Sequence, residues 1–237
     1  MTSSSRKATI ALWGASSVGK STALAAYSGH YEPKWVDRAD ANTLSTERNL
    51  RSLWFSLKKN ELSGGTSSAT HYEFRHVDGG SIVFRDMVGG VAAKPTARAD
   101  VDALRNEVAG ALLFVDVTRL GIAEVRQSAL NALAELGTKP CALVLTKCEA
   151  VLSEEEFGRF TKSPLSCEQI GSLVLPSGLM KRFESNAIFP ITVYGWHNNM
   201  PAQYLDEFGR FVPFKIEPSL VDRPFEFAVE RIWKAFP

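Results

Sequence analysis

Cysteine is scarce in this chain. Its 237 residues include three, Cys141, Cys148 and Cys167. The number is odd, and no C-x-x-C or Cys/His cluster has metal-ligand spacing. A disulfide framework and a zinc module are excluded, and a reducing compartment is expected. Charge of one sign is also missing: 27 Lys+Arg stand against 26 Asp+Glu, with no long single-sign run. That balance favours neither nucleic acid nor a membrane surface as a partner.

No apolar stretch approaches the roughly 20 residues that a membrane helix needs. The opening MTSSSRK carries no apolar signal region, Thr2 is not a myristoylation glycine, and the closing AFP has no prenylatable cysteine. The expectation is a cytoplasmic protein with no membrane partner. With 45% apolar and 22% charged residues the composition is that of a globular chain, and a single domain spanning 1–237 is expected.

What is present is concentrated near the start. Residues 7–22 read KATIALWGASSVGKST. An apolar, strand-compatible run at 8–13 leads into GxxxxGKS at 14–21, and TALAAYS, a good helix former, follows. In this spacing successive backbone N–H groups converge on phosphate oxygens, with the positive end of the next helix behind them. Lys20 would reach the β- and γ-phosphates, and the Ser21 hydroxyl would ligate Mg²⁺. The candidate nucleotide contacts are Gly14, Ala15, Ser16, Ser17, Val18, Gly19, Lys20, Ser21 and Thr22. Trp13 reads as core packing at the end of the first strand.

Two strand-like runs, 71–77 and 81–87, flank the turn Asp78-Gly79-Gly80, a hairpin signal. The runs 111–118 and 141–146 are continuously apolar, as buried parallel strands are, and 188–194 suits a last strand. Helical patterns occupy 96–108, 122–136 and 224–236. The alternation predicts an α/β fold: a three-layer sandwich whose mostly parallel sheet has one antiparallel hairpin strand and helices on both faces. Ligands in such sheets bind beyond the carboxyl ends of the strands, where the glycine-rich loop lies.

Long insertions are expected at about 29–69 and 150–187. The first contains a helix candidate at 46–62, with Thr46 as its N-cap. Such insertions either form lids and partner surfaces or pad the edges of the sheet.

At the end of the second hairpin strand comes Asp86-Met87-Val88-Gly89. An Asp ending a strand beside a phosphate loop can hold a Mg²⁺-bound water. A Gly three residues on lets its backbone N–H approach a γ-phosphate. In order, GASSVGKS, the hairpin ending in DMVG, the strand ALLFVDVT and then TKCE at 146–149 resemble Ras-like P-loop GTPases of the translation-factor-related class. The resemblance covers about residues 7–195, and the long helical insertion is similar to bacterial GTPase domains of defence or signalling systems.

By that resemblance GTP or GDP and Mg²⁺ would be the ligands, and a protein effector within a multi-component system the partner. Lys147 would lie along the purine, Thr146 would brace the phosphate loop, and Glu149, in the place of the usual Asp, would accept from the guanine N1–H and amine. The last base contact would be a backbone group of Thr192, Val193 or Tyr194. Thr66 is the first candidate for the switch threonine, meeting Mg²⁺ and the attacking water; Thr70 is the second and Thr43 a distant third.

Gly90 stands where Ras-like enzymes often carry a water-orienting Gln, so intrinsic hydrolysis would be weak. Arg38, Arg48 and Arg51 read as surface charges before catalytic ones, and His71 and His76 as structural. The implied function is a guanine-nucleotide switch that reports its state through 30–70 and 87–98. A P-loop ATPase, a small-molecule kinase and a pseudo-GTPase scaffold are the alternatives.

Overall fold

A computed structural model of the chain describes residues 6–15, 17–59, 69–87, 102, 105–162, 183, 187–205, 211–213 and 216–236. Six strands make one sheet: β1 Lys7–Trp13, β2 Thr70–Arg75, β3 Ser81–Asp86, β4 Gly110–Asp116, β5 Cys141–Thr146 and β6 Ile188–Pro190. Their order across the sheet is β2-β3-β1-β4-β5-β6. Only β2 runs antiparallel, to β3; the other pairs are parallel. Every residue of β4 and β5 is buried, which explains their unbroken apolar runs.

Helices cover both faces. After α1, Lys20–Ala26, the chain continues through a π-helical turn, Tyr27–Tyr31. Then come α2 Ala41–Lys58, α3 Ala123–Leu136, α4 Glu154–Lys162 and α5 Asp222–Phe227, which runs on as the π-helical Ala228–Trp233. On one face Phe225 of α5 stacks on Tyr27 at 4.6 Å and meets Phe84 of β3 edge-on at 5.5 Å. On the other, the Trp13 indole N–H donates to the Ser128 carbonyl of α3 at 3.0 Å. This is the expected three-layer α/β sandwich, with a mostly parallel sheet and one antiparallel strand, and Trp13 is a core residue, as its position in the sequence suggested.

The first insertion seals the edge of the sheet. Asp40, rather than Thr46, caps α2, accepting from the Thr43 N–H at 2.9 Å, so the helix begins five residues earlier than the expected start. Thr43 and Thr46 lie inside it, buried against β2. Thr43 Oγ1 accepts the Arg75 N–H at 2.8 Å and Thr46 Oγ1 accepts the Glu73 N–H at 3.2 Å. Farther along the edge, the Asp37 N–H donates to the Arg75 carbonyl and the Val77 N–H to that of Trp35. Polar groups that an edge strand would leave open are thus satisfied by hydroxyls and a short loop.

At the far end of the sheet from the glycine-rich loop, His76 lies between Trp35 and Trp233, with centroids 5.8 and 4.1 Å away. Burial lowers its pKa, and its Nδ1 accepts the Asp78 N–H at 3.0 Å. His76 is structural.

One expectation about an element needs adjustment. The strand expected at 188–194 stops at Pro190, because Thr192 leaves β5 and bridges to Ser219 instead. Most of the expected helix 96–108, and most of 163–187, lie outside the described residues.

Thr43→Val keeps the side-chain shape but leaves the Arg75 N–H facing a methyl group. Urea unfolding should show a loss of about 1–3 kcal/mol.

Candidate functional site

The carboxyl edge of the sheet collects the residues of interest. β1 ends at Trp13, and Gly14 follows so tightly that a Cβ there would lie 2.5 Å from the Phe114 carbonyl oxygen and 2.9 Å from Val18 Cγ2. Gly19 has φ +90° with open space around it, so its backbone shape, not crowding, calls for glycine. Ser17 holds the same left-handed region at φ 61°. Ala15 and Val18 are buried, Ser21 and Thr22 half-buried in the first turn of α1, and Ser16 lies outside the described residues.

The loop closes around its own lysine. Lys20 is 6% exposed, and its ammonium donates to the carbonyls of Gly14 at 3.1 Å and Ala15 at 3.3 Å. Burial lowers its pKa, and the charge of Asp86 opposes that shift. Asp86, the last residue of β3, is fully buried, and its Oδ2 accepts from the Ser21 hydroxyl. Sequence reasoning placed Ser21 and Asp86 together, and they are in contact. Both offer hard oxygen donors, which suit Mg²⁺, an ion that takes one or two protein ligands and keeps several waters.

Thr66 and Gly89, with Gly90, lie outside the described residues. Thr70, the second candidate, opens β2 directly opposite Asp86 in the register. Thr43 is eliminated as a switch residue, since its hydroxyl is engaged at the strand edge. Tyr72 was missed: its phenol pKa is raised by burial and then by the charge of Asp86. Arg38 is tied to the buried Glu47 at 2.9 Å, and Arg51 lies 3.8 Å from the same carboxylate. A salt bridge therefore ties Arg38, which precedes α2, to Glu47 on that helix.

At the other end of the edge, the Thr146 hydroxyl donates to the Val18 carbonyl at 2.7 Å, with the Val115 carbonyl at 3.3 Å. The loop after β5 is thereby joined to the glycine-rich loop. Lys147 takes a left-handed backbone, φ 59°, and its ammonium donates to Asp116 Oδ2 at 2.6 Å. Asp116 is fully buried, and its Oδ1 accepts the Thr118 N–H at 2.9 Å and hydroxyl at 2.6 Å. Asp116 was also missed. Its signal was a carboxylate closing an apolar run, a place where an acid needs a partner.

Glu149 does not project into solvent. It is 1% exposed, and burial pushes its carboxyl up to about 7. Hydrogen bonds from the Thr192 side chain and its own backbone resist that rise, as does Lys147, while Asp116 adds to it. The Tyr194 phenol is pushed up to about 12 by burial and then by Glu149. Of the three backbone candidates for the last base contact, Thr192 is taken: its N–H and carbonyl both pair with Ser219. The Tyr194 carbonyl accepts from Glu217. Among the described residues, the Val193 and Tyr194 N–H groups remain uncommitted.

No family model matches the chain, and no curated protein matches it. Among solved structures the chain is similar to a point variant of Era from Aquifex aeolicus bound to GDP·AlF4⁻, with a TM-score of 0.43 and 16% identity. The match covers 79% of this chain and 51% of that one, so it reaches about half the length of the Era chain. No residue role is carried over from so distant a likeness.

A carboxyl raised in the fold keeps a proton that the unfolded chain gives up. Its contribution to stability is complete at low pH and declines as pH rises from 4.5 to about 7. Glu149→Gln should remove that slope and stabilise the ligand-free protein at pH 8 by up to about 3 kcal/mol, read from urea midpoints across pH.

Proposed function

We propose that the chain is a Mg²⁺-dependent guanine-nucleotide-binding switch with slow intrinsic hydrolysis. The observation that carries this reading is the 2.7 Å bond from the Thr146 hydroxyl to the Val18 carbonyl. It joins a loop that can cradle phosphates to a loop that can receive a base, along one edge of the sheet. The Lys20 ammonium, held by the loop's own carbonyls, would turn to phosphate oxygens, which answer its charge better than neutral carbonyls do. Ser21 would ligate Mg²⁺ directly and Asp86 would hold one of its waters, with Thr66 or Thr70 completing the shell.

Lys147 would lay its stem along the purine, Glu149 would accept from its Watson–Crick edge, and a backbone N–H of Val193 or Tyr194 would meet its exocyclic oxygen. With Gly90 after the DxxG segment, no side chain there orients water, and turnover is slow without a partner. The partner would read segments 30–70 and 87–98. Residues 41–58 are bonded to β2, and β2 begins opposite Asp86. A change at the metal end therefore has a covalent and hydrogen-bonded route to α2.

One observation favours a P-loop ATPase instead: Glu149, titrating at about 7, is only partly ionised at neutral pH, which weakens guanine selection. Calorimetry with GTP, GDP and ATP in the presence of Mg²⁺ separates the two. Preference for guanine supports the switch, and equal or tighter ATP binding supports the ATPase. Lys20→Ala should lower Mg²⁺·GTP affinity at least about 100-fold without loss of the folded signal by circular dichroism. Unchanged GTP affinity in that variant would overturn the phosphate-loop assignment.

A further inference from the structure

The end of the sheet away from the glycine-rich loop holds an open cavity of about 540 Å³. Residues 31–35, the turn between β2 and β3, and one side of α5 with its π-helical continuation form its walls. Five carboxylates line it, those of Glu32, Asp78, Asp222, Glu226 and Glu230. Against them stand Lys34 and Lys234, which leaves three negative charges in excess among the described residues.

Asp222, Glu226 and Glu230 follow one another at intervals of four along the helix, a spacing at which like charges repel. Lys234, four residues farther on, answers Glu230 at 2.7 Å. Glu226 is held differently. The Trp35 indole N–H donates to the Tyr27 hydroxyl at 2.8 Å, and that hydroxyl donates to Glu226 Oε1 at 2.7 Å. This relay fixes the carboxylate in place. Among the described residues, Glu226 Oε2 and the whole of the Asp222 carboxylate make no hydrogen bond or ion pair.

Acids alone would make a solvated face, and His76 is what distinguishes this one. Its side chain is 3% exposed, yet it lines the cavity. The ring is stacked between Trp35 and Trp233 at interplanar angles of 15° and 24°, and Nδ1 accepts the Asp78 N–H at 3.0 Å. An acceptor at Nδ1 puts the proton of a neutral imidazole on Nε2. With its faces covered and Nδ1 taken, the ring meets the cavity with the edge that bears Nε2–H. Among the described residues that donor has no partner. A donor buried to this depth calls for an acceptor.

The cavity thus asks for a cation beside Asp222 and Glu226 and for an acceptor beside His76. An arginine or lysine in peptide linkage offers both, a charge at the end of an apolar stem and a carbonyl at its base. Tyr31 and Trp35, which also line the cavity, suit the stem. A bare polyamine brings the charge without the acceptor.

We propose that this cavity docks a basic peptide segment of a partner protein. An arginine or lysine side chain pairs with Asp222 and Glu226, and a main-chain carbonyl accepts from His76 Nε2–H. The cavity lies at the opposite end of the sheet from the proposed nucleotide edge and does not depend on that reading.

The test is calorimetry on the full chain at low salt, with the Trp35 and Trp233 indole N–H signals followed by NMR. The probes are an acetylated, amidated Gly-Arg-Gly peptide, the same peptide with Gln for Arg, and agmatine, which has the guanidinium but no carbonyl. The arginine peptide should bind with a Kd of about 1 mM or below, at least about 10-fold more tightly than agmatine. The glutamine peptide should not saturate. Asp222→Asn combined with Glu226→Gln, which still accepts from Tyr27, should weaken the arginine peptide at least about 10-fold. His76→Phe, which keeps the stacked ring, should bring the arginine peptide down to the level of agmatine and leave agmatine unchanged.

An arginine peptide that does not saturate overturns the inference, as does one that agmatine matches in affinity. Wild-type affinity in the double variant, or binding that leaves both indole signals unmoved, also overturns it. Should His76→Phe fail to fold, the ratio of peptide to agmatine affinity in the wild type decides the role of the imidazole.

Discussion

Three carboxyls are buried along one edge of a sheet, and each must be matched where water cannot reach it. Asp86 and Asp116 are fully buried and Glu149 nearly so. A charge taken from water at such depth is tolerated only beside donors or an opposite charge. Asp86 has the Ser21 hydroxyl and the field of Lys20; Asp116 has Lys147 and Thr118; Glu149 has Thr192. Parallel strands bring these acids together because their carboxyl ends share one side of the molecule. The partners come from the segments that follow β1, β4, β5 and β6.

The three acids are not equivalent. Asp116, with an ammonium on one oxygen and two donors on the other, is saturated and acts as a fixed post. Asp86 touches a hydroxyl and lies within the field of the buried Lys20, both of which could exchange it for a metal-bound water. Glu149 has the weakest compensation, and its raised pKa records that. A gradient therefore runs along the edge, from structural anchor to adjustable group. The adjustable group lies in the loop after β5, where the sequence departs from the family pattern it resembles.

Much of the framework was legible in the sequence because its signals are local. CALVLT is the strand β5 residue for residue, and the glycine-rich spacing announced a loop whose backbone needs Gly14 and Gly19. Ser21 and Asp86, 65 residues apart in the chain, are in contact. What escaped was long-range and polar. Nothing near Thr43 or Thr46 says that their hydroxyls will meet β2, so Thr46 resembled a helix cap. Asp116 read as the tail of an apolar strand, and Thr192 as one of three candidates for a backbone contact, although its N–H and carbonyl both pair with Ser219. Arg38 looked like a surface charge because its partner, Glu47, is buried only once α2 has docked.

The sealed edge of the sheet constrains how another molecule can be recognised. Many proteins are captured by lending a strand to a neighbour, and an open edge is what makes this feasible. At β2 the N–H groups of Glu73 and Arg75 are already held by threonine hydroxyls, and the opposite edge, β6, is three residues long and ends in proline. Backbone pairing is closed at one side and too short at the other. A protein that binds this sheet's edges must do so through side chains, and its selectivity will be written in shape and charge rather than in main-chain register.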